Sequence, residues 1–343
     1  MKGAAALGLW LAGSVGVARP SRPISAAACD LAVSNGVAAI LLRQIAEAGA
    51  PGAAVERLKA ARGREVALAL RVDQVAANLF EAFGSAGIPL VALKGVALRR
   101  ALYAPLGMVR APGDLDVLVR TESLDAARAI LDEHGFEPSR KHPRGFYRSH
   151  HHIRPRLLRG DAAIVVDLHH ALLKPPHPFR LDLEQIWERS VALEDAPAGI
   201  RRLGDLDLAL HSVLQIDHDD AYGGKGRALY DLLLWIHTRA LDPVALQARA
   251  EELGAVDAWR RVQSAISQVF GLGDASGGLR NRWWGTTLRA AVWRTSARRA
   301  IPTWYVYWCA QVLRDERAWG PTLWQLLRPV LANPRMGGRG FRD

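Results

Sequence analysis

Asp114 and Asp116 stand one residue apart at the head of an apolar run, Leu115-Asp116-Val117-Leu118-Val119, introduced by Gly113. On an extended strand residues i and i+2 share a face, so the two carboxylates project to the same side. Burying them costs free energy unless a cation sits on them. A third carboxylate, Asp167, lies near the end of a second apolar run, Ala162-Ala163-Ile164-Val165-Val166-Asp167-Leu168-His169. Three carboxylates on neighbouring strands behind a glycine turn suit a hard divalent ion, Mg²⁺ or Mn²⁺, which takes oxygen ligands and completes its shell with water and substrate phosphates. Two such ions clamp the attacking and leaving oxygens of an in-line displacement. The chemistry expected of Asp114, Asp116 and Asp167 is therefore metal-assisted phosphate chemistry. A lone Asp-x-Asp also serves in turns and caps, and the third aspartate is what separates the two readings.

Lys94-Gly95 follows Leu93 where a strand gives way to a helix. Glycine lets a phosphate approach the backbone, a helix start offers free N–H groups, and a lysine adds a point charge. Only 6 of the 45 basic residues are Lys, so a lysine at this junction stands out. Its alternative is a surface lysine beside a turn. Arg110, in the loop before the aspartates, is either a counter-charge for phosphate or a solvated cation. The histidines carry three readings. His152 and His169 line the site and meet phosphate or acceptor; or they form a zinc site with a carboxylate; or His150, His151, His152, His169 and His170 are hydrogen-bonded hairpin side chains. His169 shares a face with Asp167 by period-two spacing, and His170 faces away. Gly223-Gly224-Lys225-Gly226-Arg227 lacks the spacing and the closing Lys-Ser/Thr of a phosphate loop, so it reads as a linker, with Lys225 or Arg227 able to fold over a triphosphate. His218 and Asp231 read as a hydrogen-bonded structural pair.

The elements that must position these groups follow from periodicity and breakers. Residues 27–85 are Ala-rich and helical, with a break at Gly49-Ala50-Pro51-Gly52. Ile88 to Leu93 reads as a strand, Val96 to Tyr103 as a helix and Leu115 to Val119 as the second strand. Thr121 is the expected N-cap of a helix from Glu122 to His134, closed by Gly135. Phe136 onward should be extended, with a basic, His-rich stretch over 140–159 and a Gly160-Asp161 turn leading by hairpin into the Ile164–His169 strand. After Pro175-Pro176-His177-Pro178 the chain reads as helical to its end. The expected fold is α+β: a helical N-terminal segment over 1–85, an α/β core with a small mixed sheet over 86–178, a helical domain over 179–270, and a helical tail over 271–343. So few strands exclude a doubly wound dinucleotide fold.

At this point the chain resembles a known family. Leu93-Lys94-Gly95, a helix ending in Leu102-Tyr103, Arg110, Asp114-Leu115-Asp116-Val117-Leu118-Val119 and a helix closing on His134-Gly135-Phe136 resemble the uncharacterised nucleotidyltransferase family within the polymerase-β-like superfamily. His151-His152-Ile153-Arg154-Pro155, then Val166-Asp167-Leu168-His169, continue the likeness, as do His211, His218, Arg227 and Tyr230-Asp231-Leu232. The similarity covers residues 27–260. It implies a minimal nucleotidyltransferase sheet, with Asp114 and Asp116 as metal ligands and Asp167 as the third carboxylate. It also implies an NTP substrate, ATP included, whose triphosphate meets Lys94, Gly95 and Arg110. One position departs: the wider superfamily follows the glycine with Ser or Gly, and here Val96 stands there. The phosphate grip then rests on backbone amides and Lys94.

Composition sets the outer limits. The chain has 343 residues, half of them apolar, and is globular rather than disordered. Cys29 and Cys309 are too few for a disulfide framework or a Cys-based zinc site, which fits a reducing compartment. No run reaches the roughly 18 to 20 apolar residues of a membrane span. Met1-Lys2 and the small apolar residues Gly3 to Ala18 imitate a secretory signal; an apolar first helix or a mis-called start reads equally from them. A nucleotide-using enzyme finds its substrate in the cytoplasm, which is the expected location. The net charge of +11 is concentrated in the tail, where 12 Arg and seven Trp face three acidic residues over 280–343. Such a tail binds nucleic acid or an anionic membrane surface, or is an amphipathic helical unit with Trp inside and Arg outside. The expected activity is metal-dependent transfer of a nucleoside monophosphate to an unknown acceptor: a small molecule, a peptide or RNA. The alternative is a non-catalytic nucleotide-binding or regulatory module that binds a partner.

Overall fold

Strand β2 (Leu115–Val119), buried along its whole length, is the middle strand of one mixed seven-stranded sheet. In the computed structural model the order is β3 (Glu137–Pro138), β4 (Arg156–Leu158), β5 (Ile164–His169), β2, β1 (Leu90–Ala92), β7 (Ile200–Arg202) and β6 (Val191–Ala192). β2 runs parallel to β5 and antiparallel to β1, and β1 runs parallel to β7. The described residues are 2–17, 23–45, 52–111, 113–139, 151–153, 156–158, 163–174, 177–219 and 226–272. The basic Trp-rich tail, Cys309, the Gly49–Pro51 break, His150 with most of the basic stretch, the Gly160-Asp161 turn and Gly223–Lys225 lie outside them, as does the side chain of His218.

Four helices precede the sheet: α1 (Lys2–Ser14), α2 (Ala26–Ser34), α3 (Ala38–Ile45) and the long α4 (Gly52–Ser85). The apolar start of the chain is α1, and its Leu7, Trp10 and Leu11 are core residues. A Cβ at Gly8 would fall 2.1 Å from the Val269 carbonyl oxygen, so α1 crosses α11 (Val256–Phe270) at a distance only glycine allows. No helix among the described residues is long and apolar enough to cross a membrane.

The segment after β1 carries the site's first anchors. Helix α5 (Lys94–Leu98) runs directly into a π-helical turn, Arg99–Tyr103. Buried Arg99 fixes that turn, donating to Asp73 and the Ala69 carbonyl of α4 and to the Arg110 carbonyl of the following loop. After β2, Thr121–Ser123 form a 3₁₀ turn that enters α6 (Leu124–Glu133). Thr121 is thus inside the turn rather than an N-cap, and no side chain caps this start. Gly135 at φ +79° closes α6 as expected.

The chain is not helical throughout after 178. α7 (Leu183–Arg189) is followed by the β6–β7 hairpin, which returns to the sheet beside β1. The sheet therefore draws strands from both sides of 178. Only then come α8 (Asp205–Leu214), a π turn at Gln215–Asp219, α9 (Gly226–Thr238), α10 (Pro243–Glu252) and α11. β7 has a single apolar residue, Ile200, before Arg201 and Arg202. Buried Arg202 is kept by its near neighbours in sequence Glu194 and Asp205 and lies over the ring of distant Trp235.

Candidate active site

The parallel register of β2 and β5 sets Asp116 opposite Asp167. Period two then puts Asp114 on the face of Asp116, and His169 on the face of Asp167. Ligand atoms of Asp116, Asp167 and His169 lie within 4.8 Å of one another, the one such group among the described residues. Asp114, exposed at the head of β2, lines the same cleft without belonging to that close trio.

One oxygen of Asp116 is shared. Lys94 Nζ donates to Oδ1 at 2.7 Å, and His169 Nε2 donates to the same atom at 3.0 Å. Burial acts to raise the Asp116 pKa, but the Lys94 ammonium and the His169 hydrogen bond outweigh it and hold the carboxyl well below the usual range. Asp116 is ionised. Asp167 goes the other way: burial, then the charges of Asp116 and Asp114, push it up to about 7. Its Oδ1 is buried and finds no hydrogen-bond partner among the described residues. Two facing carboxylates with separated pKa values and one orphaned oxygen form a donor set that could hold a cation.

Lys94 is held in a backbone conformation that costs a non-glycine residue about 1–2 kcal/mol, with φ +47°. Strain of this kind persists where neighbouring structure imposes it, and functional sites are where it collects. It is no surface lysine: its ammonium is committed to the acidic wall. Gly95, Val96 and Leu98 are buried beneath it.

The cleft is completed by the loop before β2 and by helix α9. Arg110 is buried rather than solvated, donating Nε and Nη2 to Asp231 Oδ2 at 3.0 and 2.7 Å. Tyr103 donates its hydroxyl to Asp231 Oδ1 at 2.6 Å. Asp231 therefore partners Arg110 and Tyr103, while its expected pairing with His218 falls on a side chain outside the described residues; a contact between residues this far apart leaves no mark in spacing. Arg227 of α9 donates Nη1 to the Ala111 carbonyl at 3.0 Å. Burial and the neighbouring Arg110 lower its pKa to about 10. The cleft has a volume of about 360 Å³ and is lined by Lys94, Gly95, Arg110, the three aspartates, Arg227 and Asp231, among others.

His151 and His152 pack against His169, the imidazole bonded to Asp116. His152 pairs with His169 by an isolated antiparallel bridge, and its Nδ1 donates to the Ile153 carbonyl at 2.8 Å. The His151 ring lies 4.7 Å from that of His152 and 4.8 Å from that of His169. Burial first, then these two neighbours, hold His151 far below its usual range, and burial likewise keeps His169 neutral. The zinc reading built on His152 does not assemble, because the close ligand group contains His169 and two aspartates without it. Sequence reasoning placed His169 on the right face but missed its bond to Asp116. It also missed Asp231 as the anchor of Arg110.

No curated protein and no solved structure matches this chain. Over residues 26–271 it matches the family described as uncharacterised nucleotidyltransferase, the span that carries every group of the cleft just described, and the chain belongs to that family.

Proposed function

We propose that the chain transfers a nucleoside monophosphate from an NTP to an acceptor nucleophile, with release of pyrophosphate. The observation that carries this reading is the Asp116–Asp167 pair across β2 and β5, with an orphaned carboxylate oxygen, facing a cationic wall across a nucleotide-sized cleft. The donor set of two carboxylates and a ring nitrogen within 4.8 Å fits a divalent cation. Mg²⁺ or Mn²⁺ bound there supplies neutralising charge for the phosphate oxygens.

The chain's own residues account for the rest. Asp116 and Asp167 would hold the ion, and Asp114 at the cleft mouth would add negative charge on the same face. His169 orients Asp116 through Nε2. If that ring nitrogen instead ligates the ion, its proton moves to Nδ1, which lies 3.4 Å from the Ala171 carbonyl. Asp167 faces Asp116 across the strand register and, with one oxygen on the ion, would offer the other to the proton the acceptor loses. The acceptor atom then bonds to the α-phosphorus, the bond from that phosphorus to the bridging oxygen breaks, and pyrophosphate leaves. Lys94 balances the acidic wall and Arg110 lines the phosphate side. A nucleotide substrate fits a cytoplasmic protein.

The test is incubation of the full chain with α-labelled NTPs, Mg²⁺ or Mn²⁺, and pools of small-molecule, peptide and RNA acceptors. Label should move to an acceptor with the native chain and not with Asp116→Asn. Transfer that survives this substitution overturns the metal assignment. Calorimetric binding of NTP without turnover in any pool would favour the regulatory module instead.

A further inference from the structure

The cleft is divided by charge. Asp114, Asp116 and Asp167 come from β2, its approach and β5, and Arg110 and Arg227, from the loop before β2 and from α9, line the same cleft. Arg110 is matched, since Asp231 receives it through two nitrogens. Arg227 is not. Its hydrogen bond goes to a main-chain oxygen, and no carboxylate among the described residues comes within ion-pair distance of it. Asp231 is the one carboxylate bonded to either guanidinium among the described residues, Glu65 acting on Arg227 only at a distance, and a cation so placed in a partly desolvated site is stabilised by an anion.

The glycine turn, meanwhile, is occupied. Lys94 is committed to Asp116, and the open face of Gly95 is covered by the Arg110 guanidinium, whose Nη1 lies 2.6 Å from where a Cβ would be. The next residue, Val96, is buried and carries no hydroxyl. Phosphates entering this cleft meet guanidinium groups where the turn's main chain would otherwise receive them.

We propose that Arg227, backed by Arg110, is the polyphosphate-binding residue of the cleft, so that the helical half grips the leaving-group phosphates while the sheet wall holds the divalent ion. The identification of the anion as the polyphosphate of a nucleotide rests on the transferase reading above. The residue assignment rests on the charge imbalance and the covered glycine.

The experiment titrates inorganic tripolyphosphate, with Mg²⁺, into the full chain by calorimetry. Arg227→Gln should weaken binding by about 10- to 100-fold, the range of a charge-assisted hydrogen bond. The exposed-residue control Arg260→Gln should bind like the native chain, with both variants melting as the native protein does. A folded Arg227→Gln variant with native affinity overturns the proposal, and so does a native chain that binds no tripolyphosphate. Should Arg227→Gln fail to fold, phenylglyoxal modification of the native chain decides, read by mass spectrometry. Tripolyphosphate should protect Arg227 from the reagent, and an unchanged modification rate overturns the assignment. The two readings fail separately. Loss of tripolyphosphate binding in Arg227→Gln without transfer in any assay removes the transferase reading alone. Transfer with equal KM for NTP in native and Arg227→Gln chains removes the Arg227 assignment alone.

Discussion

Lys94 and Asp116 form the ion pair that completes the acidic wall, with Nζ 2.7 Å from Oδ1. Lys94 lies at the start of α5 and Asp116 in β2, the antiparallel neighbour of β1, so the pair ties the glycine turn to the carboxylate strand. A cation thus sits on the oxygen that a divalent ion would take, so stability and metal affinity would be coupled through one contact.

Asp116→Asn should reduce transfer to the level of an enzyme-free control. The same change removes the counter-charge of Lys94 and weakens the acceptor of His169, so urea unfolding should show a loss of about 1–3 kcal/mol, the scale of a hydrogen bond to a charged group. Cooperative unfolding with the native slope would show that the fold is retained. An inactive variant that is also unfolded would leave the loss of activity to structure alone.

Lys94→Gln should tighten Mn²⁺ binding to the nucleotide-free chain by about tenfold, because the ion no longer displaces an ammonium group from Asp116. Calorimetry or the electron paramagnetic resonance of free Mn²⁺ reads this directly. Unchanged affinity would mean that the ammonium and the ion do not compete.

Asp167 gives the pH dependence. Its folded pKa of about 7 lies above that of an unfolded aspartate, so between the two the folded state holds a proton that the unfolded state has lost. Stability from this group is present below about pH 4 and falls as pH rises to 7. Asp167→Asn should therefore match the native chain near pH 4 and become more stable than it through neutrality, by a few kcal/mol at most. Mg²⁺ should raise the native melting temperature more at pH 8 than at pH 5, where a proton competes for Asp167. A melting difference independent of pH would show that burial and the neighbouring carboxylates do not hold the proton.

Much of the acidic wall was legible because it is local. β2 and the Ile164–His169 strand stand at their expected bounds, since each is an apolar run punctuated by turn residues. Period-two spacing then assigned faces to Asp114, Asp116, Asp167 and His169. The cationic wall was not legible to the same degree. Arg110 meets Asp231 across 121 positions of sequence, and nothing in either neighbourhood announces the pairing. β7 escaped notice for a related reason, as its Arg201-Arg202 reads as surface until Ser190, Glu194 and Asp205 are brought beside it. Sequence pattern carried the strand that holds the carboxylates, and tertiary packing decided what faces them.

Gly95 ties the two walls together and gives the last prediction. An Ala Cβ there would lie 2.6 Å from Arg110 Nη1. A flexible surface arginine would swing away at little cost. Arg110 is only 8 % exposed and is held at two nitrogens by Asp231, so displacing it breaks a buried ion pair that also receives Tyr103. Gly95→Ala should therefore cost about 1–3 kcal/mol, the scale of overpacking a filled interior. Arg110→Ala alone should cost about 3–5 kcal/mol, because Asp231 is left buried without its cation. With Arg110 gone the added methyl has room, so in the double variant most of the Gly95→Ala cost should vanish and the cycle should be non-additive. Additive costs would mean that the methyl strains the α5 backbone itself and that Gly95 does not serve to admit the guanidinium.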